Sequence, residues 1–175
     1  MKKINLLVCT LAIAGLGFTA CSDDDSNSNS STSIAGTYSL EEVNTSATTD
    51  FDQDNVSHVN QMDESKCYDD GKVTLNSDNT FKYVITNILI NDGVAGCANS
   101  QTVTGVYTSQ PAADPTNALI TLTYNDNGTT VTRQFTKIGK ELTYTDNTIV
   151  STYPDRDENG AAVEVPGSRE YVYKK

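Results

Sequence analysis

Histidine, cysteine and clustered acids are the side chains through which this chain could do chemistry, and only the acids are plentiful. One histidine, four cysteines, 12 bases and 23 acids occur in 175 residues. Any Ser-His-Asp relay has to run through His58, which follows Ser57 in a polar stretch where no nucleophile elbow or oxyanion hole is marked. His58 therefore reads as an exposed loop residue, and the chain as no enzyme. Asp155-Arg156-Asp157-Glu158-Asn159-Gly160 places oxygen ligands at Asp155, Asp157 and Asn159 and then a turn glycine, as a calcium loop does. Pro166 stands where the closing bidentate Glu belongs and Glu164 lies two residues early, so a solvated turn between strands is the competing reading. Asp50, Asp52 and Asp54 repeat the ladder without the glycine and with Gln61 at the closing position. No spacing singles out a carboxylate pair for glycoside hydrolysis, and nothing requires a cofactor.

Cys67 and Cys97 bracket two alternating runs. Val73 and Leu75, then Phe81, Tyr83 and Ile85, alternate with polar neighbours across Ser77-Asp78-Asn79, the pattern of a hairpin with one buried face. A closed zinc site wants four Cys or His ligands, and His58 is the one histidine, so a disulfide is the expected use of the pair. It would close a loop of about 30 residues and contribute about 3 to 4 kcal/mol.

Further alternation surrounds this hairpin. Ile34 to Leu40 forms a first strand, and Glu41 to Lys66 reads as a long polar loop with two turns of helix near Val56, Val59 and Met62. Strands follow at Gln101–Ser109, Ala118–Asn125 and Thr129–Ile138, the last running through Val131, Arg133 and Phe135. Asn125-Asp126-Asn127-Gly128 turns between the latter two. Glu141–Asp146 and Glu170–Lys174 complete the series, with Asp155 to Gly167 as a polar loop. Eight or nine antiparallel strands rich in Thr, Val and Tyr make an all-β chain. Closure into an eight-stranded up-and-down barrel removes the exposed edges; a two-sheet sandwich is the alternative. Tyr38, Tyr83, Tyr107, Tyr124 and Tyr144 fall on strands, where they either line a cavity for a small hydrophobic or sugar-like ligand or fill the barrel.

Lys2 and Lys3, the apolar run Leu6 to Ala20 and the small residues before Cys21 describe a signal peptide over residues 1–20. Residues 22–33 are almost entirely Ser, Asp, Asn and Thr, a disordered tether. The folded domain is then 34–175. Removal of the leader takes away two lysines and no acid, leaving ten bases against 23 acids and a net charge of −13. Such a surface repels nucleic acid.

Phe18-Thr19-Ala20-Cys21 resembles the lipobox of bacterial lipoproteins, which implies that Cys21 becomes the mature N-terminus and carries acyl chains such as palmitate. Ser22-Asp23-Asp24-Asp25 resembles the acidic export tag of some Gram-negative lipoproteins. Gly36-Thr37-Tyr38 resembles the lipocalin Gly-x-Trp motif with Tyr for Trp. The succession Cys67, Val73–Leu75, Ser77 to Phe81, Cys97 and Gly105-Val106-Tyr107 is similar to small lipocalin-like lipoproteins of Gram-negative bacteria. The resemblance implies a lipid-anchored outer-membrane protein, on the periplasmic face or the cell surface, whose barrel binds a small hydrophobic ligand. The alternative expectation is an interaction module, an accessory subunit of a surface assembly with no ligand cavity.

Overall fold

The computed structural model describes residues 33–175. The signal segment, Cys21 and most of the tether lie outside the described residues. In chain order the elements are β1 (Gly36–Thr49), β2 (His58–Asn60), α1 (Gln61–Glu64), a 3-10 turn (Lys66–Tyr68), β3 (Lys72–Leu75), β4 (Thr80–Ile85), β5 (Ile88–Asn91), β6 (Val94–Cys97), β7 (Gln101–Pro111), β8 (Ala118–Asp126), β9 (Thr129–Ile138), β10 (Glu141–Asp146), β11 (Thr152–Arg156), β12 (Ala162–Pro166) and β13 (Arg169–Lys174). Eight of these, β1, β3, β4, β7, β8, β9, β10 and β13, pair antiparallel in succession, and β13 returns to β1. The chain is a closed eight-stranded antiparallel barrel, not a two-layer sandwich.

Alternation sets the inward face. Ala118, Ile120, Leu122 and Tyr124 are buried on β8, and Phe81 and Tyr83 on β4. The turn between β8 and β9 is the tight one expected, with Asn127 and Gly128 at φ 50° and 88° joining the pair Asp126 and Thr129. β1 runs nine residues past Leu40 because a bulge at Glu41 resets its register: Leu40 faces Tyr173, yet Glu42 already faces Val172. The bulge breaks the period of two, which is why Glu41 to Thr49 reads as loop from sequence alone. Likewise Thr86-Asn87 separates β4 from β5, and most of the segment expected as polar loop from Asp155 to Gly167 pairs within the hairpin β11–β12.

The two ends of the barrel differ. At one end β3–β4, β7–β8 and β9–β10 are joined by short turns. Tyr38 Oη donates to the Ile34 carbonyl and Tyr107 Oη to that of Asn76, each at 2.8 Å. Lys137, almost fully buried, donates through Nζ to the carbonyls of Thr116 (2.8 Å) and Gly139 (2.6 Å). The described chain enters here, since Lys175 Nζ donates to the carbonyls of Ser33 and Ala35. All three long insertions, residues 50–71, 86–100 and 147–168, lie at the opposite end.

Candidate functional site

Those three insertions form a crown over the barrel mouth, and each is fastened to another. Cys67 and Cys97 are bonded, with Cα atoms 4.9 Å apart, joining the first insertion to the hairpin β5–β6. Arg156 on β11 donates through Nε to the Phe51 carbonyl at 2.8 Å and lies 4.6 Å from the centroid of the Phe51 ring. The Ala162 amide donates to the Gly93 carbonyl at 2.8 Å, tying the third insertion to the second. Tyr68, fully buried, carries the barrel's apolar cluster up into the crown together with Phe51, Ile88 and Ala162.

Within the first insertion, buried Glu64 is the organising acid. Its Oε2 accepts the amides of Phe51 (2.6 Å) and Asp52 (3.3 Å), and its Oε1 accepts the amide of His58 (3.0 Å) and meets His58 Nδ1 at 2.7 Å. A carboxylate that satisfies this many donors holds a loop in one conformation. The hydrogen bond to the Glu64 carboxylate raises the His58 pKa above its usual value. His58 is thus engaged by an acid committed to backbone donors. Asp50, Asp52 and Glu64 bring carboxylate oxygens within 4.8 Å of one another. Glu64's hydrogen bonds account for this grouping as loop structure.

The acids expected around a cation lie on the β11–β12 hairpin. Asp157 Oδ1 accepts the amides of Asn159 and Ala161, both at 2.9 Å, and Asp155 Oδ1 accepts the Arg156 amide at 2.8 Å. Gly160 holds φ 82° as the turn requires.

The barrel interior is occupied by its own rings. Tyr83, Phe135 and Tyr173 meet edge to face with centroids 5.9 to 6.1 Å apart, Phe81 meets Tyr124 at 6.2 Å, and Phe135 and Tyr144 lie 5.4 Å apart. Of the five tyrosines singled out from sequence, Tyr38 and Tyr107 face the closed end, Tyr83 the centre, and Tyr124 and Tyr144 the mouth side. Burial pushes the phenols of Tyr38 and Tyr68 up to about 12 and raises those of Tyr83, Tyr107 and Tyr144, so all are neutral hydroxyls at physiological pH. Tyr83 and Tyr173 share a buried hydroxyl contact of 3.0 Å. The recess bounded by Tyr83, Tyr144, Tyr171 and Tyr173 holds about 70 Å³.

Compared with family models, with curated proteins and with solved structures, the chain matches none of them. Its chemistry has to be read from the molecule.

Arg133 and Arg169 also border that recess. Sequence alternation already puts Arg133 on the face of Val131 and Phe135; a cation in a core phase was the available signal. Arg169 gave none, since it precedes the run that reads as strand. On the crown's outer side Leu89, Val94, Ile149 and Val150 are exposed, the last two almost completely. A cleft of about 260 Å³ runs between the first two insertions, past Phe51, Ser65, the disulfide and Ile88.

Proposed function

We propose that this chain is an interaction module: a filled barrel that holds a braced crown of loops against a partner protein. The observation that carries the reading is the placement of all three long insertions, cross-fastened and bearing exposed Leu89, Val94, Ile149 and Val150, at the end opposite the chain's entry. Exposed apolar side chains on a rigid frame suit a partner with an apolar patch of its own. The aromatic filling supports this reading over carriage of a hydrophobic ligand inside the barrel, because the recess beneath the crown is far below the several hundred Å³ that a drug-sized ligand takes, and the cleft of about 780 Å³ that Arg133 and Tyr144 border is open along β9 and β10 and lined mostly by polar side chains.

The same polarity agrees with a lipocalin-like lipoprotein anchored through Cys21. Residues 22–33 span at most about 40 Å when extended, and they would leave the barrel at its closed end, so the crown would point away from the bilayer. The accessory-subunit expectation is the form this takes at an outer membrane.

Cross-linking and affinity capture from membranes of the native host, comparing wild type with Ile149→Asp/Val150→Asp, provide the test. The expected result is one stoichiometric protein captured by wild type and lost in the double variant. Retention of a hydrophobic molecule at one per barrel, with no protein captured, would overturn the proposal in favour of the carrier.

A further inference from the structure

Arg133 and Arg169 stand half-buried at the mouth, and their opposing charge is unequal. Arg133 donates through Nη1 to Tyr83 Oη at 3.3 Å, and its guanidinium carbon lies 5.6 and 5.1 Å from the ring centroids of Tyr83 and Tyr144. Among the described residues it makes no ion pair. Arg169 Nη2 stands 3.8 Å from Asp146, whose Oδ1 already accepts the hydroxyl of Ser151 at 2.5 Å. Among the described residues the buried Nε of Arg169 and the buried hydroxyl of Tyr68 have no close hydrogen-bond partner, and the two side chains neighbour each other.

Arg133, Arg169 and Asp146 converge on one place. Both arginines and Asp146 line the enclosed recess of about 70 Å³, with Thr86 and Asn87 toward the crown. Asp146 is the one carboxylate in the lining and, with Glu164 behind it, acts on Arg169, which leaves Arg133 as the cation without a carboxylate beside it. Even a half-buried cation is costly without a counter-charge, and aromatic faces offset that cost only in part. A water needs roughly 10 to 15 Å³ of such space, so the recess takes a few waters or one small ion and is closed to a lipid tail. Guanidinium N–H groups favour planar or tetrahedral oxyanions.

We infer that this recess is a binding site for one small oxyanion, a carboxylate or a phosphate-like ion, held between Arg133 and Arg169 beneath the crown. Arg133 supplies charge that makes no ion pair among the described residues, Arg169 adds a second guanidinium to the lining, and the protonated phenols around them add no negative charge. The site is independent of any protein partner on the outer side of the crown.

The test is a titration of the wild-type domain with sodium acetate and, separately, sodium phosphate, at constant ionic strength maintained with sodium chloride, whose anion is not an oxyanion. The Nε–H resonance of Arg169 and the melting temperature are followed. The expected result is a saturable shift of that resonance and a rise of a few degrees in melting temperature with at least one of the two ions, both lost in Arg133→Met. Saturation by acetate alone marks a carboxylate site, and by phosphate alone a tetrahedral one. A response that stays linear with both ions, or one undiminished in Arg133→Met, overturns the inference. The wild-type titration decides even if the variant fails to fold, because saturation is read without it.

Discussion

Replacing Cys67 and Cys97 together by alanine should lower the melting temperature by roughly 12 °C. The bond spans 30 residues of sequence. In the chain-entropy treatment a loop of that size restricts the unfolded chain by about 3.6 kcal/mol at 25 °C. Residues 33–175, at about 2.1 cal/mol/K each, unfold with an entropy of about 300 cal/mol/K, and the quotient gives the shift. Deleting two sulfur atoms costs little packing, since Cys97 is exposed and Cys67 half-buried. The assay is calorimetry of wild type and double variant under oxidising conditions, with reduced wild type as the control. Reduced wild type and double variant should melt together. A shift below about 3 °C in both would refute the reasoning. It would show that the unfolded chain already keeps the first two insertions together, or that the crown opens before the barrel.

Three further outcomes bear on the barrel and its crown. Gly105→Ala should destabilise the domain by about 2 to 3 kcal/mol in chemical denaturation, because the added methyl meets the Thr123 carbonyl oxygen inside contact distance and presses on the Phe81 ring. Glu64→Gln should cost about 2 to 4 kcal/mol and raise amide exchange at Phe51, Asp52 and His58, since an amide cannot accept at both positions. The Glu64 bond raises the His58 pKa above 6.5 in the folded state. The pair's contribution is therefore complete below the unfolded pKa near 6.5 and falls as pH rises through the folded value. A proton NMR titration should place the His58 midpoint above 6.5, and His58→Gln should remove this decline from the stability profile.

Period-two patterning made most of the barrel legible, because each strand has one wet face and one dry face. It failed where that condition fails. At Glu41 the bulge puts Leu40 and Val43 on the same side at a spacing of three, so a continuous strand looks like its own end. The hairpins β5–β6 and β11–β12 belong to the crown, where burial comes from neighbouring loops and does not follow a period of two. The Cys67–Cys97 link was legible by counting thiols. The role of Glu64 was not, because a carboxylate that gathers backbone amides from residues 51, 52 and 58 has no local sequence signature. The recess illustrates a third case: Arg133 falls in the phase of Val131 and Phe135, but its company with Arg169 is a property of closure.

β13 lies beside β1, and the Lys175 side chain reaches the Ser33 carbonyl. The two chain ends of the described domain are therefore close enough for a short peptide to splice them. New ends could then be opened at Asn127-Gly128, a two-residue turn remote in sequence from the three fastened loops. A rearranged chain of this kind would keep every crown fastening while moving the attachment point to the rim beside it. The orientation of the display surface could thus be reversed without altering a single residue on it.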